Sequence, residues 1–372
     1  MILSILWRTP IADRYWGAQT NNWNGASGWF SDAALTTPAA DPTSADDVKF
    51  VAGSFTGAGQ TLTVNSTAYC KDMDWTGAAN TPTFTMNANL NFYGDITLVS
   101  LMTYTYVFTD LTASGSGDIS ITSNGKNIGS DLVLASTFSG TLSLNDDCRV
   151  LPSLYPQGGT LNTNGHKLTL GKFLRTDSGL FTFNAGASTI DLLWGTAVDG
   201  WRYTGSGMTF NAGSSIIKVV GIAPFSGGGL TYNEVQLNGS AHTISGSNTF
   251  SQLNLSSGTT QTITFTDGTT QTIASPSLSG SAGHVHTLRG SSTGGWALAK
   301  SGGGTVTADY LNIQYGSTVA NGVIWNPGVN SICDANTTGW DFWSLGTGKV
   351  SGVNPRSINS ISCSQIESVN GV

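Results

Sequence analysis

The chain has 372 residues, carries a formal net charge of −7, and only 10 % of its residues are charged. Its 48 glycines and scarcity of charged residues argue against a helical protein, because glycine is a poor helix former and ordinary globular proteins are about 25 % charged. The 15 Lys and Arg form no basic run, which argues against nucleic-acid binding, and the 39 % hydrophobic content argues against disorder.

The first part of the chain is rich in tryptophan. Trp16, Trp23 and Trp29 are spaced through Gly and Asn, and a Pro-containing stretch then leads to ADDVKF. Residues 1–45 are predicted to form an aromatic N-terminal cap or attachment segment, because repeated strands need cover at an open end. The apolar stretch in the opening MILSILWRTP is too short for a secretory signal. No apolar run in the sequence is long enough for a membrane span.

Residues 46–343 contain many short alternating segments, such as TLTVNST, GDISITSNG and QTITFTDG, separated by Gly and Asn turns. Strict apolar and polar alternation over four to eight residues is typical of strands with one buried face. The segment FTFNAGASTI at 181–190 is followed by MTFNAGSSII at 208–217. Such a step matches one coil of a parallel β-helix, in which each coil stacks on the next.

The repeated FNAG letters predict a specific arrangement at one corner of the coil. Side chains at equivalent positions should lie in register, with phenylalanines stacked inward, asparagines in a ladder, and glycines at turns with positive φ. The residues concerned are Phe183 and Phe210, Asn184 and Asn211, and Gly186 and Gly213. The sequence therefore predicts an all-β, single-stranded parallel β-helix (β-solenoid) of about 14 coils of about 22 residues.

The last segment, 344–372, differs in pattern from the coils. Its apolar residues step by three and five, which fits neither a helix nor a simple strand. We expect a short C-terminal extension that anchors the chain or mediates oligomerisation, with an unattached tail as the alternative. The candidate anchoring residues are Ile358, Ile361, Ile366, Val369 and Val372.

The four cysteines lie far apart in the sequence and form no C-x-x-C pair. This spacing argues against a zinc knuckle and a dense disulfide framework. Free thiols are expected at Cys70, Cys148, Cys333 and Cys363, and a Cys333–Cys363 bridge stays open as the alternative.

No catalytic residue is predicted. Ser292 sits in a G-x-S-x-G match, but no histidine follows it in the chain, as that motif would require. Asp72 and Asp74 would share a face of a strand at a separation suited to an acid/base pair, but solvated surface or loop carboxylates are the preferred interpretation. The adjacent pairs at 46–47 and 146–147 offer too few oxygen ligands for Ca²⁺.

Two further sets of residues could contact ligands. His284 and His286 in GHVHTL could supply imidazoles to an iron ion on a threefold axis, whereas histidines on the solenoid surface are the simpler interpretation. Trp194, Trp201 and Trp296 lie in Gly-rich surroundings where an exposed ring could stack on a sugar, whereas packing in the core or between coils is the more common arrangement. A groove is expected within residues 165–205, and no cofactor is predicted.

Two stretches carry a resemblance to known families. A resemblance to β-solenoid proteins of bacteriophages over about residues 16–343 is carried by the spaced tryptophans that begin at Trp16 and Trp23 and by the segments PTSADDVKF, GGGLTYNEVQLNG and VTADYLNIQYG. The final IESVNGV resembles the I-x-x-V-N-G-V segments that end or link phage virion proteins. The resemblance implies a stacked β fold and a place in a phage particle.

Three functions are compatible with these features. The first, which we favour, is a non-enzymatic virion structural protein: a fibre, spike or head-attached appendage that contacts the host surface. The alternatives are a tailspike-type polysaccharide depolymerase, whose sites can form from distant coils, and a secreted bacterial adhesin. The first function implies location in the virion and, by resemblance to fibres and spikes, a homo-oligomer, expected to be a trimer. Other virion proteins and a host-surface glycan would be its partners, without nucleic acid or a membrane span.

Overall fold

The computed structural model describes residues 12–17, 20–25, 27–194, 200–333 and 336–342. These residues form an all-β structure without a helix, in which parallel strands stack as a β-solenoid of about 12 turns. The predicted fold class is therefore confirmed. The turns are fewer than expected because some are longer than 22 residues, as between Phe183 and its neighbour Phe210.

The chain divides into two compact units. The first comprises Met1–Leu170, Ser178–Ser188 and Gly207–Asn211, and the second comprises Gly171–Asp177, Thr189–Ser206 and Ala212–Val372. One long strand, β19 (Leu168–Arg175), has residues in both.

The first unit is built from short strands, most of them two to four residues long. These strands are β1 (Asp13–Trp16), β2 (Asn21–Asn22), β3 (Trp29–Phe30), β4 (Asp47–Lys49), β5 (Thr61–Val64), β6 (Ala68–Cys70), β7 (Met73–Asp74), β8 (Thr83–Met86), β9 (Leu90–Phe92), β10 (Ile96–Thr97), β11 (Thr103–Tyr106), β12 (Asp110–Ala113), β13 (Ile119–Thr122), β14 (Asn127–Ile128), β15 (Asp131–Leu134), β16 (Thr141–Leu144), β17 (Cys148–Pro156), β18 (Gly159–Asn162), β20 (Phe181–Asn184) and β23 (Met208–Asn211).

Successive turns of the first unit place these strands in separate sheets. One sheet has the order β3-β1-β4-β7-β10-β13-β16-β18-β20-β23, and a second has the order β2-β5-β8-β11. A third face is formed by β6, β9, β12, β15 and β17. On β5 the alternation holds as predicted, since Leu62 and Val64 are buried while Thr61 and Thr63 face outward. Apolar side chains of each turn therefore stack on those of the next.

The repeated FNAG letters occupy neighbouring strands, as predicted. β20 and β23 pair in parallel, with Phe183 opposite Phe210 and Asn184 opposite Asn211. The two phenyl rings meet edge to face at 5.4 Å, and the Asn211 amide donates to the Asn184 side-chain oxygen at 2.7 Å. The glycines two residues beyond each asparagine have φ values of 54° and 55°. The copied letters thus specify equivalent positions in adjacent turns.

The three tryptophans of the predicted cap are fully buried. Trp29 packs edge-on against both Trp16 and Trp23, with ring centroids 5.0 Å apart in each pair. The Trp29 indole N–H donates to the Trp23 carbonyl at 2.8 Å. β1 pairs in parallel with β4 and antiparallel with β3, so this aromatic cluster is joined to the first turns. The boundaries at 45/46 and 343/344 stay predictions.

Cys70 and Cys148 are buried free thiols, as expected for these two residues. Burial raises the pKa of both thiols, that of Cys148 to about 12. The side chains of Cys333 and Cys363 lie outside the described part of the chain, so the alternative of a bridge between them stays open.

The second unit contains longer strands. These strands are β21 (Thr189–Leu192), β22 (Trp201–Tyr203), β24 (Ile216–Val219), β25 (Phe225–Ser226), β26 (Thr231–Leu237), β27 (Ala241–Ser245), β28 (Thr249–Leu255), β29 (Thr262–Phe265), β30 (Thr270–Ser277), β31 (His286–Gly290), β32 (Trp296–Lys300), β33 (Gly304–Thr307), β34 (Leu311–Gln314), β35 (Gly316–Thr318), β36 (Val323–Asn326) and β37 (Ile332–Cys333).

The strands of the second unit stack in parallel along two main faces. One face runs β21-β24-β26-β28-β30-β32-β35, and the other runs β22-β25-β27-β29-β31-β34-β37. Aromatic side chains fill the space between the faces, for example Phe265 stacked on Trp296 with centroids 4.1 Å apart. This regular stacking positions the corners at which the candidate site lies.

Candidate functional site

Two of the three tryptophans considered for sugar contact are in the core. Trp201 is 0 % exposed and Trp296 is 2 % exposed, so neither ring presents a face to a ligand. This corrects the carbohydrate interpretation for both residues, because the strand alternation turns them inward. Trp194 lies two residues after the end of β21 and is 42 % exposed, so its ring is accessible at the surface. It stays a candidate for sugar contact.

His284 and His286 do not present a shared outer face. His286, the first residue of β31, is fully buried, and burial lowers the pKa of its imidazole. His284 is half-buried and lies before the strand, in a turn where it bridges to Ser281. The i, i+2 alternation therefore does not extend to His284, which corrects the shared-face interpretation. No group of three or more His, Cys, Asp or Glu residues suited to a metal occurs in the described ranges.

Carboxylates of the acidic pairs accept hydrogen bonds from backbone amides, in their own segment or in a neighbouring one. Asp72 accepts from the Asp95 amide at 2.9 Å and also contacts Lys71, while Asp74 accepts from the Thr76 amide at 2.9 Å. Asp146 accepts from the Ser123 amide at 2.7 Å. These carboxylates satisfy backbone donors at the corners, which is a structural role.

Ser292 of the GSSTG segment is held by a carboxylate of the preceding turn. Its hydroxyl donates to Asp267, and its amide donates to the same carboxylate at 3.0 Å. The Gly294 amide also donates to Asp267, at 3.2 Å. These bonds lower the pKa of Asp267, with the Ser292 hydroxyl as the largest cause. Asp267 thus fixes the loop that leads into β32.

This loop borders a groove with a volume of about 300 Å³. We call it the corner groove; it is lined by residues 268–270, 294–297 and 315–317 and by Asn336. The Gly268 amide donates to the Gly295 carbonyl at 2.8 Å and joins two of its walls. The Trp296 indole N–H donates to the Gln314 carbonyl at 3.0 Å, which fixes the wall nearest the core. The groove lies outside 165–205, where one was expected.

The lining of the corner groove includes no charged side chain and combines hydroxyl groups with glycines, Ala297 and Trp296. Thr269 donates its hydroxyl to the Thr266 carbonyl at 2.6 Å, and Ser317 donates to the Trp296 carbonyl at 3.1 Å. The Ser317 oxygen can still accept from a ligand, and so can the Thr269 oxygen, which already accepts one hydrogen bond from the Gln271 amide at 3.3 Å. The groove is therefore suited to a neutral ligand rich in hydroxyl groups.

Sequence reasoning missed the corner groove, although one signal marks it. The D-G pair at 267–268 and the G-G pair at 294–295 are turn signals about one coil apart. If the two pairs are taken as equivalent corners of successive coils, residues 268–270 are expected to lie beside residues 294–297.

The stability of the loop at Asp267 should depend on pH. The pKa of Asp267 lies below its ordinary value of 3.8, so its contribution is present above that value and is lost as the pH falls through the lowered pKa. We expect Asp267→Asn to reduce the free energy of unfolding near pH 6, and the difference from wild type to shrink towards about pH 3. Urea unfolding of both proteins across this pH range checks this. A difference that stays constant with pH would contradict it.

The described ranges contain no helix of the length and hydropathy that crossing a membrane requires. The candidate anchoring residues Ile358, Ile361, Ile366, Val369 and Val372 lie outside the described part of the chain. No protein-family model, curated protein or solved structure matches this chain.

Proposed function

We propose that this chain is a structural protein of a bacteriophage particle, a fibre, spike or head-attached appendage that contacts the host surface. The observation that carries the proposal is the in-register stacking of turns, with apolar side chains inside and Thr and Asn files outside. The file Thr160, Thr182 and Thr209 is an example, with the file Asn162, Asn184 and Asn211 beside it. Such files favour a stiff scaffold with a repeating polar surface.

The use of the acidic side chains also favours a structural role. Asp95 and Asp118 accept the backbone amides of Ser120 and Thr141, at 2.6 Å and 2.8 Å, and so link successive turns. A carboxylate that caps a backbone donor stabilises the stacking of turns. Under this proposal the protein is part of the virion, forms a homo-oligomer, expected to be a trimer, and contacts other virion proteins. Trp194, with its exposed ring, is a candidate for contact with host-surface glycan.

The test is to purify phage particles that encode this chain and measure its copy number by quantitative mass spectrometry. We expect a fixed number of copies per particle, and density for a β-solenoid at symmetric positions by cryo-electron microscopy. Absence from the particles would refute the proposal. Shortening of host capsular polysaccharide by the purified protein would instead support the depolymerase alternative, and recovery on the bacterial surface without phage would support the adhesin.

A further inference from the structure

We infer that the corner groove is a binding site for a neutral saccharide. This inference rests on the proposed attachment function and assigns the host contact to a place in the second unit. The corner groove, of about 300 Å³, is at the lower end of the size range of ligand pockets, about 300–1,000 Å³, and suits a short stretch of saccharide.

The walls of the corner groove are held in place without a ligand. Asp267 accepts three hydrogen bonds from Ser292 and Gly294, and this fixes the loop on one side. Trp296 lies between Phe265, with ring centroids 4.1 Å apart, and the backbone at Gly316, where an added Cβ would be 2.6 Å from the indole ring. A pre-formed site binds without the entropic cost of ordering its own residues.

Glycine keeps the corner groove open at two positions. Gly268 has φ of +73°, and a Cβ there would meet nothing within 4 Å. Gly295 has φ of +81°, and its nearest neighbour would be 3.6 Å away. Both conformations favour glycine, and without side chains at these positions the space beside the backbone stays unfilled.

The chemistry of the corner groove favours hydroxyl groups over charges. The hydroxyl protons of Thr269 and Ser317 are donated to backbone carbonyls, so the oxygens of these two side chains are left to accept hydrogen bonds from sugar hydroxyls. Asp267, whose carboxylate holds one wall of the groove, has a lowered pKa and stays ionised near neutral pH. Together with the net charge of −7, this carboxylate disfavours uronate or sialate groups in the groove.

The chain offers a matched pair of variants on β32. Ala297 and Ala299 lie two residues apart on the same strand, are both half-buried, and pair with Thr270 and Thr272. Ala297 lines the corner groove, whereas Ala299 is not part of its lining. Ala297→Phe should fill the groove, and Ala299→Phe should add the same side chain beside it.

The experiment uses the full chain and a glycan array with neutral hexose and N-acetylhexosamine oligomers beside sialylated and uronate-containing ones. The neutral oligomer retained best is then titrated by calorimetry. We expect neutral oligomers to be retained, Ala297→Phe to weaken binding by roughly tenfold or more, and Ala299→Phe to bind like wild type. Circular dichroism checks that each variant is folded. If Ala297→Phe does not fold, Thr270→Phe on the paired strand β30 is used in its place.

Retention of acidic oligomers alone, retention of none, or unchanged binding by the folded groove variants would overturn the inference. Loss of binding in Trp194→Ala with full binding in Ala297→Phe would also overturn it, while leaving the proposed function intact. Absence of the chain from phage particles would refute the proposed function whatever the array shows. The two failures are therefore distinguishable.

Discussion

Trp201→Ala should lower the free energy of unfolding by about 3–5 kcal/mol, the usual cost of removing a large aromatic side chain from a core. Trp201 is 0 % exposed and is stacked on Phe173 with ring centroids 4.2 Å apart. Its other face lies towards Phe225, at 6.1 Å. The indole N–H also donates to the Tyr232 hydroxyl at 3.1 Å, so the substitution removes a buried hydrogen bond together with the stacked ring.

The control for this variant is Trp194→Ala, in the same unit. Its 42 % exposed ring should contribute little to folding, and the free energy of unfolding should change by no more than about 0.5 kcal/mol. Urea unfolding followed by far-UV circular dichroism measures both variants. Equal losses in the two would show that burial at Trp201 is not what stabilises this part of the second unit.

Gly140→Ala should also be strongly destabilising, by about 1–3 kcal/mol or more, because it overpacks a site where two backbones meet. A Cβ at Gly140 would lie 1.9 Å from the Gly117 carbonyl oxygen and 2.6 Å from the carbonyl carbon. Both atoms belong to the backbone, so the clash cannot be relieved by rotating a side chain. The stacking of neighbouring turns would have to shift.

Gly117→Ala is the matched control, because the same change there meets nothing within 4 Å and φ is outside the left-handed region. We expect it to be neutral or to stabilise by up to about 1 kcal/mol through the unfolded chain. Urea midpoints of the two variants should move in opposite directions or differ clearly. A Gly140→Ala midpoint equal to that of wild type would contradict the close approach.

The sequence identified Trp194, which is exposed, as a candidate residue, but it did not predict which of the other candidate side chains are buried. Trp194, Trp201 and Trp296 share Gly-rich surroundings, yet only Trp194 is substantially exposed. Which way a ring points depends on the register of its strand relative to the preceding turn, and a one-residue shift reverses it. His284 and His286 illustrate the same point, since β31 begins only at His286 and the alternation does not reach His284.

By itself, the sequence determined the stacked all-β fold and the pairing of the two FNAG strands. Alternation of apolar and polar residues specifies which side chains face inward, and the repeat length specifies which positions are equivalent in successive turns. Both are local properties of the sequence. Only the tertiary structure decided which tryptophans are buried, where Asp267 holds a loop, and where the corner groove opens. Those features depend on how residues about 20 or more positions apart meet at a corner. That meeting is set by the packing of whole turns.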